Sequence, residues 1–230
     1  MKETLLSFVF FGAVLTIGAY AFAVWLQRKL RWGFLSPVVV SAGLIIAALL
    51  LLRIDYEDYA KGANVISYLL TPATVCFAIP LYKQLSLLKS HWKAITVGLL
   101  AGVLSSAAGI FVIAWAFGLA HPHYVTLLPK SVTTAIGIGI AEELGGIPAI
   151  SAAVIILTGV AGNVMARGLC RLCRITEPVA QGLAIGASSH AIGTAKALEM
   201  GEVQGAMSSL AVVVSGLLTV VAASFFAMLL

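Results

Sequence analysis

Long apolar runs, each closed by a short cluster of charged or turn-forming residues, recur along the whole sequence. Six uninterrupted runs lie at roughly 5–27, 34–52, 65–82, 94–119, 147–166 and 203–228, each near the ~20 residues that a helix needs to cross a bilayer. None alternates with the period of two that a barrel strand requires, so the pattern predicts helices, whose backbone polar groups are satisfied within the segment. The first run is longer than a signal-peptide core and has no small-residue cleavage site before Arg28, so it reads as a true span. Pro72 and Pro80 predict a kink in the third. Two more stretches, 124–145 and 178–201, are long enough to cross but are broken by polar residues.

The loop charges bear on how the broken stretches thread. Arg28, Lys29, Arg31, Lys83, Lys89, Lys93, Arg167, Arg171 and Arg174 fall on one side, while Lys2, Arg53 and Lys61 fall on the other, among Asp55, Glu57 and Asp58. The positive-inside rule then puts the RKLR loop in the cytoplasm and the N-terminus outside. If 124–145 crossed fully, the arginines at 167–174 would land outside. If it dips in and returns, they fall inside, and the same logic makes 178–201 a hairpin entered from the cytoplasm. The count favours six spans, two re-entrant hairpins and both termini outside; two crossing, broken helices are the alternative. The expected organisation is a scaffold of spans over 1–120 and a core over 121–230.

Composition agrees with the pattern. Hydrophobic residues make up 61% and charged residues 10%, against about 25% charged in a soluble domain, and mean hydropathy is +1.07. This is the profile of an all-α integral membrane protein. The net charge of +5 sits in loops between spans and reads as topology, with no nucleic-acid partner expected. Cys170 and Cys173 form a C-x-x-C with no further Cys or His nearby, a poor zinc site, and His91, His121 and His123 are expected in loops without ligand spacing, so no metal or cofactor is expected. Neither H-E-x-x-H nor G-x-S-x-G is present. Ser188 and Ser189 precede His190, but no third group is evident to orient such a pair, and an enzyme is not expected.

An internal repeat links the broken stretches. A shift of 56 residues lays 134–145 on 190–201 with six of twelve positions identical, among them Ala135-Ile136-Gly137 on Ala191-Ile192-Gly193 and Glu143 on Glu199. Each copy is followed by one apolar span, and the two copies are expected in opposite orientation. Interrupted hydrophobic segments at matching places of an inverted repeat point to a transporter's binding site. The candidate tips are Pro129-Lys130-Ser131-Val132-Thr133-Thr134 and Gly186-Ala187-Ser188-Ser189-His190. Restarting half-helices, capped by Ser or Thr, would present free N–H groups and partial positive charge, and Lys130 adds a full charge. The expected anion-binding set is Lys130, Ser131, Thr133, Thr134, Ser188, Ser189, His190 and Thr194, with His190, Glu143 and Glu199 as coupling candidates. Plainer readings stand beside these. Lys130 can snorkel to the headgroups, the hydroxyls can pack helices, and His190 can be structural. Glu142, Glu143 and Glu199 can form interfacial ion pairs, Glu199 with Lys196 three residues earlier.

The segments LLTPATVCFAIPLYKQL, LLPKSVTTAIG, GGIPAISA and ASSHAIGTAKALE resemble the signature segments of the LrgB/CidB family of membrane proteins, over nearly the whole chain. Ala135 stands where KSVTTP would place a proline. The resemblance implies a smaller LrgA/CidA-type membrane partner, made separately, and a holin- or antiholin-like role in murein hydrolase export and lysis. It also implies, for some members, transport of pyruvate, and the plant plastid glycolate/glycerate translocator is similar to both proteins fused.

Two functions follow as expectations. One is a secondary transporter, or the transport subunit of one, for small carboxylates such as pyruvate, lactate, glycolate or glycerate, with protons as the candidate coupling ion. The other is a holin-type pore or lysis regulator, which needs oligomerising spans but no preorganised anion site. A multi-pass protein of the cell membrane and a homo-oligomer are expected on either reading.

Overall fold

The computed structural model describes residues 10–30, 37–69, 72, 75, 76 and 78–230, and all its regular structure is helical. Contacts divide the chain into two compact units, Met1–Cys76 and Phe77–Leu230.

In the first unit, α1 (Phe11–Leu30) packs on α2 (Pro37–Leu52) and α3 (Tyr56–Ser67). Gly12 lets α1 approach the α3 backbone at Tyr59 and Ala63 more closely than a Cβ would allow. Thr16 Oγ1 lies 2.7 Å from both the Gly12 carbonyl oxygen and the Tyr59 hydroxyl. The segment around Asp55, Glu57, Asp58 and Lys61, expected as a loop, is the cap and first turns of α3, with a 3.1 Å Lys61–Asp58 ion pair. The expected third span lies partly outside the described residues, as do Lys2 and Arg31 of the charge count.

The second unit holds α4 (Ala78–Lys83), α5 (Leu85–Phe117), α6 (His121–Leu127), α7 (Thr134–Glu143), α8 (Pro148–Leu172), α9 (Pro178–Met200) and α10 (Glu202–Ala227). Pro122, Pro148 and Pro178 each occupy the first helical positions, where a missing N–H costs nothing and the fixed φ suits the helix. Among the described residues, Phe11–Leu30, Lys89–Phe117, Pro148–Leu172 and Glu202–Ala227 are long and apolar enough to cross a membrane, and Pro37–Leu52 is a shorter apolar helix. Three expected loops are helix instead. Lys89 and Lys93 lie on α5, with His91 at a non-helical break inside it. His121 and His123 lie on α6, and Arg167 and Arg171 on α8. Lys and Arg flanking a span can stay helical because the long stem carries the charge to the interface.

Both broken stretches are hairpins, as the register of their contacts shows. In the first, Gly137 on α7 faces the Pro129 carbonyl and Val132, and the Thr126 hydroxyl accepts a 2.8 Å bond from the Ile147 N–H, so the return arm runs back along the entry arm. In the second, α9 reverses at His190, and Gly193 faces Ile185. In a straight helix those two residues would stand about 12 Å apart along the axis. The two contacts, 137 on 129 and 193 on 185, are themselves related by the 56-residue shift. The entry arm of α9 runs parallel to α10, Gly182 on Gln204 and Met207, Gly186 on Ser208 and Ala211; the return arm runs antiparallel to it, Thr194 on Ser208 and Leu198 on Gly205. α8 opposes that entry arm, since Ala166 packs with Ile185 and Gly162 meets Ser189. Thus α8 and α10 point in opposite directions, and the two copies are inverted.

Candidate functional site

The first tip forms because Pro129 closes the entry helix. Two turns follow, Lys130 N to Leu127 O and Val132 N to Pro129 O, and Thr133 then takes an extended conformation (φ −66°, ψ 149°) ahead of α7. Its hydroxyl makes no cap bond, which corrects the expectation of a threonine cap. The second tip is sharper. His190 has φ 41° and ψ −143°, a region that costs a non-glycine residue about 1–3 kcal/mol.

Packing against α8 holds that strained turn. The His190 Nε2–H donates to the Ile155 carbonyl oxygen over 2.9 Å, and the ring lies on Gly159. Ser189 lies against Gly162, and Asn163 Nδ2 donates to the Ile192 carbonyl at 2.8 Å. The tip therefore docks on the middle of α8. The first tip docks on α10 at the repeat-related level, with Ile136 against Gly216.

A pocket of about 680 Å³ opens between the hairpins and α5. Lys130 and Ser131 from the first tip and Ala187 and Ser188 from the second line one end of it. Lys130 Nζ donates to Ser131 Oγ at 2.8 Å and has no carboxylate partner among the described residues. Ser188 Oγ donates to the Ala184 carbonyl at 2.7 Å and lies 3.0 Å from Ser189 Oγ. The α5 wall is a stripe of small residues, Gly98, Gly102, Ser105 and Ser106, and the entry arm of α9 supplies Val179, Ala180 and Leu183. His91 and Glu177 line the opposite end. A single cation beside hydroxyls at the end of an apolar-walled pocket suits one small anion with a short carbon chain.

Of the eight expected anion-binding residues, Lys130, Ser131 and Ser188 line this pocket and the others do not. Thr133 and Thr134 begin α7. Ser189 and His190 face α8 and are buried, and Thr194 is buried against the His190 carbonyl and Ser208 Oγ. The ends of the two entry arms, rather than the restarting N-termini, reach the pocket. Glu143 is exposed at the end of α7, and Glu199 pairs with Lys196 at 2.7 Å, the plainer of its two readings. The stripe on α5 was not singled out from sequence, although its spacing of three to four residues in GLLAGVLSS carries the signal.

The LrgB-like family model matches residues 16–229. Antiholin-like protein LrgB of Bacillus cereus (strain B4264) and that of Bacillus anthracis (strain A0248) are each 38% identical to this chain over 218 residues, covering 94% of it and 95% of the relative. No solved structure matches.

Proposed function

The chain belongs to the LrgB-like family, and from that premise we propose that it carries small carboxylates across the cell membrane through the pocket between its hairpins. It is a multi-pass membrane protein. The observation that supports carriage is the meeting of Lys130, Ser131 and Ser188 in the lining of one pocket. The ammonium balances the carboxylate, the two hydroxyls orient it, and the apolar walls accept a two- or three-carbon body. Inverted hairpins moving against α5 supply alternating access. Pyruvate, lactate, glycolate and glycerate fit this description. Glu143 and Glu199 are the candidates for proton coupling. His190, bonded to backbone away from the pocket, has the better claim as a positioning residue.

A second reading is antiholin-like regulation of lysis, and the name of the relatives favours it more directly than the first. It shares the proposed partners: an LrgA/CidA-type small membrane protein and further copies of this chain. Uptake of labelled pyruvate and lactate by proteoliposomes, measured beside leakage of an unrelated neutral solute, separates the two. Saturable uptake without leakage supports the carrier. Leakage without saturable uptake supports the pore or lysis reading and ends the first.

A further inference from the structure

At the end of α8 the chain turns over an arginine cluster that the carboxylate pocket does not use. Arg167 and Arg171 lie one turn apart on α8, and Arg174 follows its end. With Thr176, Gln181 and Gln204 they line a cleft of about 630 Å³. All three arginines are exposed, and none has a carboxylate within ion-pair distance among the described residues. Glu199 is engaged by Lys196, and Glu177 lines the other pocket. The wall is built rather than loose. Gln181 Nε2 donates to the Ile175 carbonyl at 2.7 Å, and Gln204 Nε2 donates to Gln181 Oε1 at 3.1 Å.

The backbone turns tightly beneath Arg174. Arg174 N bonds to Arg171 O and Ile175 N to Cys170 O, and Arg174 has φ 54°. The same closure uses Gly118 at the end of α5, with φ 60°, and Arg53 at the end of α2, with φ 51°, and glycine is the usual residue there. The chain holds an arginine where glycine would be less strained, and its side chain joins the cleft. Three guanidiniums converging on one concavity, with amide groups beside them, recognise the tetrahedral oxygens of a phosphate.

We propose that the cleft formed by Arg167, Arg171, Arg174, Gln181 and Gln204 binds a phosphate group, supplied by an anionic phospholipid headgroup or by free phosphate. The cleft and the carboxylate pocket flank the same entry arm of α9, Gln181 on one side and Val179, Ala180 and Leu183 on the other.

Native mass spectrometry of the detergent-purified full chain, titrated with phosphatidylglycerol or phosphatidylcholine, tests the lipid source. Calorimetric titration with inorganic phosphate tests the free one. Saturable phosphatidylglycerol binding, weakened about fivefold for each arginine removed in Arg171→Gln and in Arg171→Gln/Arg174→Gly but unaltered in Lys83→Gln, supports a headgroup site. The same variant pattern for inorganic phosphate supports the free ion. Arg174→Gly relieves the positive φ, so its melting temperature should hold or rise while binding falls, which separates lost binding from lost folding. Equal binding of the two lipids with no response to phosphate, or equal weakening in Lys83→Gln, overturns the proposal. These readouts involve no carboxylate, so they stand apart from the transport assay.

Discussion

The His190 imidazole reaches across from the tip of the second hairpin to the Ile155 carbonyl on α8, 2.9 Å away. A carbonyl that accepts a side-chain bond at mid-helix is a fixed anchor for a turn that its own backbone disfavours. His190→Ala keeps the strained φ of 41° and loses the bond, so it should destabilise the fold by about 1–3 kcal/mol. His190→Gly loses the bond but relaxes the turn, so it should lie between Ala and the parent. Thermal unfolding in detergent distinguishes them; equal losses for Ala and Gly would show that the turn is unstrained.

The glycines beneath that tip should be equally exacting. A Cβ at Gly162 would overlap the Ser189 side chain, and one at Gly159 the His190 ring. Gly162→Ala should cost about 1–3 kcal/mol through overpacking. Gly168, on the same helix with nothing near its Cβ position, is the control, and Gly168→Ala should gain about 0.5–1 kcal/mol. Melting curves that rank the two the other way would mean the tip does not dock on α8.

Lys130→Gln should weaken carboxylate binding by roughly 10- to 150-fold, the equivalent of losing one charged hydrogen bond of about 1.5–3 kcal/mol. Lys130→Arg keeps the charge with a different reach and should be intermediate. Calorimetry with pyruvate or lactate reads both. Parent-like affinity in both variants would mean that the ammonium serves the headgroups.

Glu143 and Glu199 sit at the bases of the two hairpins. In membranes, Glu143→Cys and Glu199→Cys should react with an impermeant reagent from opposite sides. Crossing helices would put both on one side, so labelling from a single side would rule out the inverted arrangement.

The hairpins were legible in the sequence because lipid enforces two rules at once. Backbone broken at depth must fold back or be satisfied, and basic residues gather on one side. The 56-residue shift carried the same information, and the contacts of Gly137 and Gly193 follow it. The division of labour among hydroxyls was not legible. Ser188, Thr194, Ser209 and Thr126 all donate to the carbonyl four residues back, which any Ser or Thr on a helix can do. Whether such a residue then faces a pocket or a neighbouring helix depends on packing partners far along the chain, as Ser208 is for Thr194. Sequence spacing within one stretch does not encode that choice. Likewise, Arg167 and Arg171 were counted as loop charges, because positive-inside statistics record sidedness and say nothing of whether the chain around them is helical.

Beyond Lys130 and Ser131 the pocket gives way to a cavity of only about 10 Å³ lined by Ser131, Ala187, Leu128, Thr219 and Ala223, and then to the cluster where Tyr124, Val125 and Ile140 pack with Ala227 and the Tyr124 hydroxyl donates to the Phe226 carbonyl at 2.8 Å. The pocket is wide enough for water, while the cavity next to the cluster is about the size of a single water at most. On the carrier reading, a membrane voltage would fall mainly across that apolar layer rather than across the full bilayer. An anion held beside Lys130 would then stand near the potential of the solution it came from. Moving one unit charge through the whole drop would involve about 2.3 kcal/mol per 100 mV, and a carrier that shifts its insulating layer past the charge makes that step electrical without dragging the ion through oil.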